Sequence, residues 1–92
     1  MKSISVTYSD SKLRILIEEY IAMQRSEFTF KGVCSYILYR AMEEEKAVKR
    51  GELYDSDQLA EADSERVNKV LEIIVSEGRI NRTNNGRFKK LI

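Results

Sequence analysis

Val67-Asn68-Lys69-Val70-Leu71-Glu72-Ile73-Ile74-Val75-Ser76-Glu77-Gly78-Arg79-Ile80-Asn81-Arg82-Thr83-Asn84-Asn85-Gly86-Arg87-Phe88-Lys89-Lys90-Leu91 is the stretch that decides the fold. Val67, Val70, Leu71, Ile74 and Val75 recur at helical spacing, so one apolar stripe must face a core. Asp63 or Ser64 caps this helix and Gly78 stops it, which predicts a helix over 64–77. Beyond Gly78 two short β-capable runs flank Asn85-Gly86, the dipeptide that supplies positive φ to a tight hairpin turn. A hairpin over 79–91 follows. With a two-residue turn, Ile80 falls opposite Leu91, Arg82 opposite Lys89 and Asn84 opposite Arg87, gathering three cations and an amide on one side of the tip.

Towards the N-terminus the same periodic argument gives two more helices. Phe30, Val33, Cys34, Ile37, Leu38 and Ala41 form the cleanest stripe, on a helix over 29–48 with Thr29 as N-cap and Phe28 as a hydrophobic staple on Val33. Leu13, Leu16, Ile17, Tyr20 and Ile21 mark a helix over 10–24, opened by Ser9 as N-cap with Asp10 in its positive first turn. Ahead of it Ser3 to Tyr8 alternates polar and apolar residues and predicts a short strand over 3–8. Residues 51–62 form an acidic connection. Asp55 and Asp57 lack the glycine and terminal glutamate of a calcium loop, so a solvated linker is expected.

Ninety-two residues make one domain, α+β and mainly α: a three-helix core, a C-terminal β-hairpin and a short N-terminal strand. Hydrophobic residues are 42% and charged residues 34%, an ordinary globular balance, and no apolar run reaches the ~20 residues of a membrane span. A cytoplasmic location and no membrane partner are the expectation. The chain has no histidine, which removes the commonest general base and zinc ligand, and its one cysteine, Cys34, sits on an apolar stripe. No nucleophile–base pair or metal cluster is visible, so no enzyme, cofactor or small-molecule ligand is expected. Charge is uneven: residues 1–42 sum to +2, 43–65 to −6 and 66–92 to +5. A basic end beside an acidic middle suggests a polyanionic partner at that end.

Helix, short extended break, helix, connection, helix and basic terminal hairpin together resemble a winged-helix DNA-binding domain. The resemblance covers residues 10–92 and is closest over Glu65–Leu91, where an apolar helix, an acidic residue and a glycine lead into an alternating strand. It implies that the third helix enters the major groove, with Arg66, Asn68 and Lys69 meeting bases. Arg79, Arg82, Asn84, Arg87 and Lys89 would then meet DNA from the hairpin. Glu65 and Glu72 on the same helix depart from that picture, because they repel phosphates. The implied role is a bacterial or phage-type transcription regulator, a homodimer on a symmetric site. Tyr36 and Tyr39 flank the buried stripe and are candidates for a dimer contact.

Residues 3–45 are also similar to a ribbon-helix-helix repressor, in which Ser5 and Thr7 would touch DNA. A third alternative is a winged-helix protein-interaction adaptor that binds no nucleic acid, with the acidic middle meeting a basic partner.

Overall fold

A computed structural model describes residues 4–45 and 59–91. Within them the elements run α1 (Asp10–Met23), β1 (Glu27–Phe28), α2 (Phe30–Glu45), α3 (Glu61–Ser76), β2 (Ile80–Arg82) and β3 (Phe88–Lys90). The protein is α+β and mainly α, as expected. Both anticipated N-caps form: the Lys12 N–H donates to Ser9 Oγ at 3.2 Å, and the Gly32 N–H donates to Thr29 Oγ1 at 3.0 Å. The expected helix tail over 46–48, and the acidic connection as far as residue 58, lie outside the described residues.

The three stripes meet as predicted. Leu13, Leu16, Ile17 and Ile21 of α1, Val33, Cys34, Ile37, Leu38 and Ala41 of α2, and Val67, Val70, Leu71 and Ile74 of α3 belong to one buried cluster, joined by Leu59, Ile80, Phe28 and Phe88. Cys34 is part of this core. Burial pushes its thiol up to about 11, so it is an uncharged small apolar filler at neutral pH. Among the described residues no helix is long and apolar enough to cross a membrane.

Three features differ from expectation. The N-terminal segment makes one isolated parallel bridge, Ile4 to Leu59, instead of a strand. Its backbone is tied to the start of α3, where the Ala60 N–H donates to Ile4 O at 2.8 Å and the Val6 N–H donates to Asp63 Oδ2 at 3.1 Å. Second, α3 starts at Glu61, three residues early, and neither Asp63 nor Ser64 is its cap. The Asp63 carboxylate is buried and committed to Val6 and Arg66, so the cap position falls to Ala60, which offers no side-chain acceptor.

The third difference is the sheet. Its order is β1-β3-β2, all antiparallel, with Phe28 opposite Phe88 and Glu27 opposite Lys89. In the hairpin Ile80 pairs with Lys90, Asn81 with Lys89 and Arg82 with Phe88, one residue away from the predicted register. The loop holds three residues, Asn84-Asn85-Gly86. Gly86 takes φ 78°, its N–H donates to Thr83 O at 3.2 Å, and the Thr83 N–H donates to Arg87 O at 2.8 Å. That is a turn followed by a left-handed glycine, the common three-residue hairpin.

A one-residue slip turns every side chain of a strand to the other face. The observed register sends Phe88 inward, 1% exposed and stacked on Phe28 with ring centroids 5.4 Å apart, and leaves Leu91 outside at 47%. The predicted register would have aimed Leu91 at the core and Phe88 at water. The larger aromatic surface, and the stack it makes, favour the register that is seen.

Candidate nucleic-acid interface

Helical geometry divides α3 into three sides. Val67, Val70, Leu71 and Ile74 face the core. Glu61, Glu65, Asn68, Lys69, Glu72 and Ser76 are exposed and, at 3.6 residues per turn, share one outward face. Arg66 lies between the two, on the flank nearest α1. The β2–β3 hairpin rises beside the outward face, and between them runs a groove of about 440 Å³. Asn68 and Lys69 line one wall and Arg82 and Gly86 the other, with Phe30 and Phe88 among the lining residues.

The eight expected contact residues separate under this geometry. Asn68, Lys69 and Arg82 come together at the groove. Arg66 does not. Its guanidinium donates to Asp10 Oδ1 at 3.0 Å, to Asp63 Oδ1 at 3.0 Å and to the Tyr8 carbonyl, fastening the N-terminal segment to α3. Burial works against its positive charge, but Asp10 and Asp63 outweigh that and raise its pKa. Arg66 acts as a clamp within the fold and does not line the groove that Asn68 and Lys69 share. Sequence spacing alone could have warned of this, since Arg66 and Asn68 point in widely different directions on a helix.

Arg79 is turned away as well. It follows the C-terminus of α3, where Gly78 takes φ 78°, and it pairs with Glu18 of α1. The Arg79 hydrogen bond, with help from Arg14, holds the Glu18 carboxyl below its ordinary range. Arg14 also reaches Glu77, so this seam between α1 and the end of α3 is charge-balanced.

At the hairpin, the expected cluster of three cations on one side of the tip does not form, because the register differs. Arg82 is opposite Phe88 and on the inner face, while Lys89 is on the outer face between Glu27 and Asn81. Asn84 sits exposed in the turn, and Arg87 stands 3.9 Å from Glu27, a weak exposed pair. The Arg82 guanidinium lies 4.9 Å from the Phe88 ring centroid and donates to Glu72 Oε1 and, at 3.3 Å, to Asn68 Oδ1. Among the described residues Lys69 and Lys89 enter no ion pair.

Glu61, Ser64, Phe30 and Phe88 also line the groove, although the sequence does not mark them as contact residues. Phe28, the expected staple on Val33, shares the buried cluster with Val33 and also stacks on Phe88 beneath the groove. Ser5 and Thr7 are exposed, on a segment whose Ile4 carbonyl and Val6 N–H are bonded within the same chain. Among the described residues no group of three or more Cys, Asp or Glu is placed to hold a metal ion. No protein family, curated protein or solved structure matches the chain.

Proposed function

We propose that this chain is a winged-helix DNA-binding domain, a small transcriptional regulator of the cytoplasm and not an enzyme. In this proposal α3 lies along the major groove and the β2–β3 tip reaches the neighbouring phosphates. The observation that carries it is the element order with the sheet order β1-β3-β2, which sets the outward face of α3 and the hairpin side by side as two walls of one groove. A helix fits the major groove, about 12 Å wide, and a projecting two-stranded ribbon extends the contact along the backbone. Lys69 and Asn68 supply base-edge partners, and Arg82, Arg87 and Lys89, with Asn84 at the tip, supply phosphate partners. A unit this small covers few base pairs, so binding as a homodimer on a symmetric site is part of the proposal.

The test is fluorescence anisotropy with a labelled random-sequence duplex pool at two salt concentrations. Wild type should bind, and its affinity should fall steeply with salt as counterions are released. The triple variant Arg82→Ala/Arg87→Ala/Lys89→Ala should bind more weakly with a shallower salt slope. Equal binding by the two proteins, or none by wild type, overturns the proposal.

A second possibility is favoured by one observation: Glu61, Glu65 and Glu72 outnumber Lys69 on the outward face of α3. Such a face suits a basic protein surface, and an adaptor of that kind would leave the duplex pool unbound.

A further inference from the structure

The outward face of α3 carries three carboxylates, one amide, one hydroxyl and one ammonium. A surface of this kind is rich in acceptors. In the major groove cytosine offers a donor at N4 and adenine a donor at N6, whereas guanine offers only the acceptors N7 and O6. Carboxylates on a helix facing DNA therefore discriminate, provided that repulsion from the phosphates is relieved. Arg82 is placed to relieve it at one of the three. It lies over the buried Phe88 ring, which is itself stacked on Phe28, and from that shelf it holds Glu72 and Asn68 at once. The single nitrogen NH2 meets Glu72 Oε1, leaving Oε2 of the same carboxylate available to accept from a base.

Resting on the DNA-binding proposal above, we infer that Glu72 selects cytosine in the major groove by accepting a hydrogen bond from its N4 amine, and that Arg82 is the positioning residue that makes this carboxylate tolerable next to DNA. The pairing is a charge-assisted hydrogen bond made away from bulk water, so the wrong base leaves the carboxylate unmatched. Guanine at that position is the worst case, since it sets acceptors against an anion.

The experiment selects bound duplexes from a random-sequence pool with wild type, Glu72→Gln, Arg82→Ala and Arg82→Lys, each first checked for an unchanged melting curve. Wild type should enrich cytosine at one position, and a duplex with guanine there should bind about tenfold more weakly. Glu72→Gln should move that preference to adenine, because a carboxamide pairs with N6 and N7 together. Arg82→Ala should flatten the preference, and Arg82→Lys, which keeps a cation beside the carboxylate, should restore part of it. If wild type and Glu72→Gln enrich the same base at every position, the inference is overturned while DNA binding stands. If wild type retains no duplex at all, the DNA-binding proposal falls and takes the inference with it.

Discussion

Arg66 and Arg82 flank the same helix and pair with carboxylates on it, yet they do different things. Arg66 reaches a buried carboxylate, Asp63, and a backbone carbonyl, so its bonds hold the chain's N-terminal segment in place. Arg82 reaches two exposed side chains from an aromatic shelf through a single nitrogen, so it can keep them while its other nitrogens meet a ligand. The residue type is the same, although Arg66 belongs to α3 and Arg82 to the neighbouring β2. The burial of the partner decides which arginine is fixed within the fold and which stays in an exposed pair at the groove.

The sharpest way to break this contrast is to remove the buried partner. Asp63→Ala leaves the Val6 N–H without its acceptor and Arg66 without its nearest inner carboxylate, and should lower unfolding free energy by about 2–3 kcal/mol in urea titration. A change below about 0.5 kcal/mol would mean that the clamp is ornamental. The converse applies to the other flank. Arg82→Ala should leave the urea midpoint almost unmoved, as exposed pairs contribute about 0–1 kcal/mol, while duplex affinity drops about tenfold and the salt slope becomes shallower by about 1. An Arg82→Ala protein that is as destabilised as Asp63→Ala would erase the distinction.

Between these lies the turn that presents Arg82. Gly86→Ala forces a side chain into φ 78° and should lower thermal stability by roughly 1 kcal/mol, with nothing nearby for the added methyl to strike. Asn84→Ala, at the exposed tip, should change melting by much less. If Gly86→Ala melts like wild type, the hairpin has a second register within easy reach. The smallest effect concerns the α1 seam. Glu18 has a depressed folded pKa because Arg79 and Arg14 bond its charged form, so its stabilising contribution is complete above the unfolded value near pH ~4.3. That contribution fades as pH falls through the lower folded value. Glu18→Gln should slightly flatten the acid limb of a stability–pH curve below pH ~4 and leave neutral stability little changed; a large loss at pH 7 would show that the seam is more than a surface pair.

Much of this fold was legible because its signals are local. Ser9 and Thr29 announce helix starts through a hydroxyl three residues from the amide it accepts, and Gly78 and Gly86 announce the positive φ they adopt. The apolar stripes named the core almost residue by residue. The site was less legible. Asn68, Lys69 and Arg82 were identified and do meet, but Arg66 and Arg79 were drawn off by Asp63 and Glu18, acids 3 and 61 residues away in sequence. The two-residue β1 carries too short a pattern to signal a strand, and without it nothing in the sequence says that Phe88 has Phe28 to stack on.

By itself, then, the sequence determined which helical residues turn inward, where the helices stop and where the hairpin reverses, and that the C-terminal end is basic, since all of these follow from periodicity, backbone conformational limits and composition. Only the tertiary structure decided the hairpin register and the fate of each arginine. Both depend on competition between distant partners. An aromatic ring and a leucine compete for one place in the core, and each arginine is held by the carboxylates that packing brings within its reach.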